Sequence, residues 1–310
     1  MLMQFGEVDP AAKFYVVYST SNNAYQNWQG ELLEFSIKRG SDASRCQIVR
    51  LVSKDTEWGG KSSYQLGSDV TFVFTHATDV LADGTNWALL NKPAAFLELT
   101  QWWRQHPALD PDAVFVLLDP DMVWCGALRD TDIPPRGTIY GQRWTSPLDV
   151  MFPLVLRAGD LEALCASYGR HSVDLYPAHQ YHAEMYGFRQ AVHDAGLQQR
   201  GEDRFGPTAG AEFSSAGYAG SRFLHYCQDF RVAGPAAPGG PAESRSVWFK
   251  QSYTPRTRTR PWERPALPSE VEDIAQRYVL EQLHELIRLH GQPGYVPPPV
   301  VEIAEGTNPP

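Results

Sequence analysis

D-A-V-F-V-L-L-D-P-D-M-V-W, running from Asp112 to Trp124, carries an apolar run straight into two acids separated by a proline. Ala113 to Leu118 is an apolar run rich in β-branched and aromatic residues, the pattern of a strand buried on both faces. It stops at Asp119-Pro120-Asp121, because proline cannot donate to a ladder and restricts the residue before it. Two carboxylates are thereby placed at the carboxyl end of a core strand, where α/β sheets hold their ligands. Acids in that position suit Mn²⁺ or Mg²⁺ shared with the phosphates of a substrate, since these ions favour oxygen ligands. The same tripeptide also makes ordinary turns, so its chemistry depends on what the rest of the chain brings to it.

Upstream, Lys13 to Thr20 is a compact apolar run that predicts a first buried strand. It leads through the small polar turn Ser21-Asn22-Asn23 into a helix over Ala24 to Lys38, with Tyr25, Trp28, Leu32 and Phe35 near its buried side. Further strands are expected over Gln47–Ser53 and Val70–His76, separated by a polar Gly-containing loop from Asp55 to Asp69. Pro93 fits the first turn of a helix over Ala94–His106. That places Lys92 beside backbone N–H groups suited to a diphosphate, although a solvated lysine has the same spacing. No Gly-rich dinucleotide fingerprint or P-loop is present, so another mode of nucleotide binding is implied.

Downstream, Thr138–Tyr140 and the apolar run Met151–Leu156 read as buried structure, Asp160–Tyr168 as a helix. A second helix is predicted over Tyr181–Ala195; its apolar side is complete without Glu184, which makes that acid either solvated or a site carboxylate. Arg222–Phe230 begins as a strand and embeds His225 among apolar neighbours, where a hydrogen-bonded core histidine is the commoner outcome. Ala233–Ala242 is a Pro/Gly/Ala insert, Trp248-Phe249-Lys250 resumes apolar structure, and Glu270–His290 is the clearest helical pattern in the chain. The tail from Gln292 is proline-rich and expected to be loosely ordered.

Hydrophobic residues make up 43% and charged residues 20% of the 310, ordinary for an enzyme with a full core. The net charge of −9 argues against broad, non-specific nucleic-acid binding. The exception is local, where Arg256, Arg258, Arg260 and Arg264 interleave with Trp262. Cys46, Cys125, Cys165 and Cys227 form no C-x-x-C pair and read as reduced thiols. The opening residues contain no secretory h-region and no run is long enough to cross a bilayer, so the expectation is a soluble, cytoplasmic protein.

The pieces then align with one family. The chain resembles the plant and algal hydroxyproline O-arabinosyltransferases and the related peptidyl serine α-galactosyltransferases. The matching segments are S-T-S-N-N-A-Y-Q-N-W-Q from Ser19 to Gln29, L-L-N-K-P-A-A-F from Leu89 to Phe96, and V-L-L-D-P-D-M-V from Val116 to Val123. E-M-Y-G from Glu184 to Gly187, F-L-H-Y from Phe223 to Tyr226, and Trp248 to Lys250 follow in the same order. Two positions depart from the pattern, which has Glu in place of Asp119 and His in place of Met122. The plant members are also membrane-anchored in the secretory pathway, and no anchor is read here.

The resemblance implies a GT-A-like α/β fold, a mixed, mostly parallel central sheet flanked by helices. The matching segments span about 13–250, and with the residue patterns beyond them the chain divides into a GT-A-like catalytic domain over 1–255, a basic linker and packed helix over 256–291, and a proline-rich tail over 292–310. The resemblance also implies transfer of a sugar, arabinofuranose or galactose, from a UDP-sugar to a peptide hydroxyl with retention of configuration. Asp119, Asp121 and His225 become the expected metal ligands. Ser19, Thr20, Tyr25, Trp28, Gln29, Asn91, Lys92, Asp119 and Lys250 become the expected contacts of the nucleotide and its diphosphate, with Tyr25 or Trp28 stacking on the base. Asp149 and Glu184 are the candidate catalytic carboxylates. A covalent glycosyl intermediate and same-face attack assisted by the departing diphosphate are both open. So are two alternatives: transfer to modified nucleic acid or a small molecule, and a binding module without turnover.

Overall fold

The computed structural model describes residues 3–5, 12–21, 24–40, 43–54, 70–105, 110, 112–143, 150–206, 221–226, 230–233, 244–248, 269, 271 and 273–290. Asp149, Lys250, Cys227, the loop 55–69, most of the insert 233–242, the arginine-rich stretch 256–264 and the tail from 292 lie outside them.

The first half builds β1 (Met3–Phe5), β2 (Phe14–Ser21), α1 (Ala24–Arg39), β3 (Cys46–Lys54), β4 (Val70–His76), α2 (Asn91–Arg104), β5 (Val114–Leu118) and β6 (Met122–Trp124). The second half adds β7 (Thr138–Arg143), β8 (Val150–Arg157), α3 (Ala158–His179), α4 (Ala183–Asp194), β9 (Gln198–Gly201), β10 (Phe223–His225), β11 (Phe230–Ala233), β12 (Ser244–Trp248) and α5 (Ile274–His290). One eight-stranded sheet runs in the order β1-β4-β3-β2-β5-β8-β7-β9. Its centre, β4-β3-β2-β5, is parallel. β1 pairs antiparallel with β4 at one side, and β8 runs antiparallel between β5 and β7 at the other. The sheet is therefore mixed, with parallel strands at its heart and helices flanking it. β6 and β10 form a separate antiparallel ribbon, as do β11 and β12.

The parallel strands are continuous apolar runs because both faces are covered. Every residue of β5 is buried, and Val16, Val17, Val49, Leu51, Val73 and Leu117 are among those packed in the main core. A second core lies between α1, the β6–β10 ribbon and α5, formed by Trp28, Leu32, Val123, Leu224, Tyr226, Val279 and Leu283.

Two helices differ from their sequence patterns for identifiable reasons. α5 starts four residues later than Glu270, because Asp273 accepts hydrogen bonds from the N–H groups of Ala275 and Gln276 at 3.0 and 2.9 Å and caps it there. α3 continues for eleven residues past Tyr168, through Gly169, where the sequence suggests a stop. Packing overrides the weak propensity of glycine: Ser172 seats against Gly187 of α4, where an added Cβ would lie 2.6 and 2.7 Å from the Ser172 N and Cα.

Topology sets where the site falls. The carboxyl ends of β2, β3, β4 and β5 share one edge, and α2 begins at that edge after β4. α3 starts at the opposite edge, where the Ala158 N–H donates to Ala113 O at 3.0 Å, and it runs back across the sheet. Its partner α4 therefore begins at the same edge as Asp119 and Lys92.

Candidate active site

Five ionisable side chains meet where β5 ends. Pro120 separates β5 from β6, so Asp119 and Asp121 leave the sheet together. Asp121 is held at its backbone as well, its carbonyl accepting from the Tyr226 N–H at 3.0 Å. That bond belongs to the β6–β10 ribbon, whose register sets His225 opposite Met122. His225 Nε2 consequently lies 3.2 Å from Asp121 Oδ1. One ligand atom from each of Asp119, Asp121 and His225 falls within 4.8 Å of the others.

Two carboxylates and an imidazole, all largely buried, form a donor set of mixed oxygen and nitrogen. Such a set fits Mn²⁺, or Mg²⁺ completed by water and phosphate oxygens. The state of His225 agrees with that use. Burial lowers its pKa below the ordinary 6.5, Asp119 opposes the shift and Lys92 adds to it. The ring is thus neutral at physiological pH, the form that ligates metals.

Lys92 and Glu184 complete the cluster. Lys92 Nζ lies 2.7 Å from Asp119 Oδ1 and 3.6 Å from Glu184 Oε1, and 4.4 Å from the centroid of the Phe152 ring. Burial alone would lower the pKa of this lysine, but the two carboxylates outweigh it and hold its pKa above the ordinary value. Lys92 sits in the first turn of α2, as its spacing before Pro93 requires, yet its ammonium is engaged by carboxylates. Glu184 is buried, and its Oε1 also accepts a hydrogen bond from the Tyr168 hydroxyl.

The residues expected around the nucleotide divide. Ser19 is partly buried at the end of β2, and Tyr25 is partly buried in the first turn of α1. Asn91 Oδ1 accepts from the Thr78 N–H at 2.7 Å, and its amide nitrogen lies 3.5 Å from Ser21 Oγ, tying the end of β2 to α2. Thr20 faces the other way: its hydroxyl donates to Leu51 O at 3.4 Å and accepts from Arg50 Nε at 3.2 Å. Gln29 is buried and donates to Tyr25 O at 2.9 Å. Trp28 is not a platform for a base. It is 3% exposed in the second core, its ring centroid 6.2 Å from that of Tyr226, because the apolar side of α1 is the side it occupies.

Sequence reasoning missed three contributors. Tyr168 and Phe152 gave no signal apart from core-like apolar runs. Arg50 gave one, a charge inside the apolar strand V-R-L-V, and it proves 2% exposed. Its guanidinium pairs with Glu34 at 3.7 Å and donates to Asn27, while Tyr18 donates to Glu34. Gly30 makes room for this group, since a Cβ there would stand 3.0 Å from the Tyr18 hydroxyl and 3.3 Å from Arg50 Cζ. The network ties α1, through Asn27 and Glu34, to β2 and β3.

No known protein family matches the sequence, and no curated protein does. Solved structures do align with it. The apo-form glycosyltransferase GlyE of Streptococcus pneumoniae TIGR4 is 15% identical, with a TM-score of 0.43 over 69% of this chain and 54% of that one. A galactosyltransferase, LgtC, in complex with donor and acceptor sugar analogs is 13% identical, with a TM-score of 0.47 over 88% of this chain and 95% of that one. The bifunctional WbbM apo structure gives 13% identity and a TM-score of 0.43, over 73% and 47%. The chain thus spans about half the length of GlyE and of WbbM and nearly all of LgtC. Among the described residues no helix is long and apolar enough to cross a membrane.

Proposed function

We propose that the protein is a metal-dependent glycosyltransferase of GT-A-like architecture that moves a sugar from a UDP-sugar to a hydroxyl acceptor with retention of configuration. The observation that carries this reading is the convergence of Asp119, Asp121 and His225 at the carboxyl end of β5, with Lys92 and Glu184 adjoining them. The family resemblance of the motifs that supply these five residues supports the same chemistry. It also supplies the acceptor class, the hydroxyl of hydroxyproline or serine in a peptide, and arabinofuranose or galactose as the sugar.

In this reading Asp119, Asp121 and His225 would hold Mn²⁺ or Mg²⁺, and Lys92 pairs with Asp119 beside them. When bound, the ion supplies positive charge against the charge that builds on the departing diphosphate. Lys92 carries a fixed ammonium to the same edge, beside the carboxylates of Asp119 and Glu184. Glu184, buried and adjacent, stabilises positive charge at the anomeric carbon or orients the acceptor hydroxyl. Ser19, Tyr25 and Asn91 lie near the end of β2, where the uridine is placed by resemblance. Asp149 and Lys250, the remaining acid and cation of the expected set, lie outside the described residues.

Calorimetry tests the reading. UDP and a panel of UDP-sugars are titrated with and without Mn²⁺ into the wild type and into Asp121→Ala. Metal-dependent binding by the wild type, lost in the variant, is the expected result. Equal UDP affinity in all four conditions would remove the metal site from the mechanism. For the carboxylate, full transfer by Glu184→Gln alongside loss in Asp149→Asn would shift the role from Glu184 to Asp149.

A further inference from the structure

We infer that Tyr168 is a positioning residue for Glu184, and that the contact of α3 with α4 is built to hold this pair in register. The inference rests on the reading of the cleft as a sugar-transfer site. Tyr168 is fully buried on α3, and its hydroxyl donates to Glu184 Oε1. The same oxygen is the one 3.6 Å from Lys92 Nζ. The hydroxyl and the ammonium therefore both approach Oε1, one from α3 and one from α2.

Four contacts make the mount rigid. Gly187 follows Glu184 by three residues on α4, and Ser172 follows Tyr168 by four on α3. These two positions touch so closely that a Cβ at 187 would lie 2.6 Å from Ser172 N. The Ser172 hydroxyl donates to Tyr168 O at 2.9 Å, which commits its side chain to the helix rather than to the gap. The Tyr168 ring meets Phe188 edge to face at 5.8 Å between centroids, and Phe188 packs at 6.3 Å on Phe152, the ring beneath Lys92. One aromatic column thus sets the height of both Glu184 and its cation. Burial, and then the Glu184 charge, push the Tyr168 pKa well above its ordinary 10, so the hydroxyl stays a donor across the working range.

A buried carboxylate stripped of its donor is free to turn or to protonate, and displacement by about 1 Å can cost on the order of 100-fold in rate. The test compares UDP release from UDP-galactose and UDP-arabinofuranose with Mn²⁺ for wild type, Tyr168→Phe, Glu184→Gln and the double variant. Expected for Tyr168→Phe is a kcat lowered about 10- to 100-fold with donor KM within about twofold. In the Glu184→Gln background the same change should cost less than about twofold, because the residue acts through that carboxylate. A Tyr168→Phe rate equal to wild type, or the same fold-loss in both backgrounds, overturns the assignment while leaving the sugar-transfer reading standing. Loss of the folded state in Tyr168→Phe, read from its urea midpoint, also overturns it, since the hydroxyl would then serve stability. A wild type that turns over neither donor overturns both.

Discussion

Replacing Lys92 by methionine keeps the length of the side chain and removes its charge. The ammonium stands 2.7 Å from Asp119 and 3.6 Å from Glu184, and all three side chains are less than one-fifth exposed. At an effective dielectric constant of about 20, unit charges at those distances attract by about 6 and about 5 kcal/mol. Most of this is offset by the cost of holding the three groups out of water. What deletion exposes is the uncompensated burial of the remaining partners, for which about 3–5 kcal/mol is usual. Lys92→Met should therefore lower the urea-unfolding free energy by about that amount in EDTA, followed by far-UV circular dichroism.

The sign with pH is defined. The folded-state pKa of Lys92 lies above its ordinary 10.5, so its contribution is complete below that value and is lost only as pH climbs through the folded value. The gap between wild type and variant should accordingly be flat from about pH 7 to about pH 9. Adding Mn²⁺ should narrow it, because a divalent ion at Asp119, Asp121 and His225 returns positive charge beside the orphaned acids. A variant as stable as the wild type in EDTA, or one stabilised by Mn²⁺ no more than the wild type, would refute this account of the cluster.

Two further outcomes follow from groups away from the cleft. Asp132 is fully buried between Arg204 and Arg222, at 2.8 and 3.1 Å, and also accepts the Arg129 N–H at 2.8 Å. Asp132→Ala should cost about 3–5 kcal/mol in urea unfolding. Because Arg222 immediately precedes β10, the same change should weaken Mn²⁺ binding through His225; unchanged Mn²⁺ affinity in a destabilised variant would separate the two effects. Burial pushes the Cys125 thiol up from 9.0 to about 12, against the pull of Arg222. The folded state keeps a proton that the unfolded state loses, so stability should fall as pH rises from 9 toward 12, and less steeply in Cys125→Ala. Identical slopes in the two proteins would show that the thiol is not perturbed.

Much of the fold is legible along the chain because its strands are local apolar runs with local stops. β4 occupies Val70–His76 as its pattern reads, and β5 ends where Pro120 removes a donor. The acids Asp119 and Asp121 and the position of Lys92 ahead of Pro93 were equally visible, since each depends on neighbours one or two residues away. Burial was legible for Trp28 but its meaning was not: periodicity shows that a side of α1 is covered, and only the β6–β10 ribbon and α5 make that cover a second core instead of a base pocket. The length of α3 was hidden for the same reason, its continuation past Gly169 depending on a seat provided by Gly187.

The site itself is a tertiary property. Lys92, Asp119 and Glu184 are separated by 27 and 65 residues, and no local pattern states which acid a buried lysine will choose. Tyr168 reads as one more core aromatic until α4 folds back on α3 and puts a carboxylate over its hydroxyl. The strands, the acid pair and the strand end at which they emerge can be read along the chain, because propensity and hydrophobic burial act over a few residues. The partners of each charge come only with the fold, because pairing energies depend on distances that the sheet order and helix packing set.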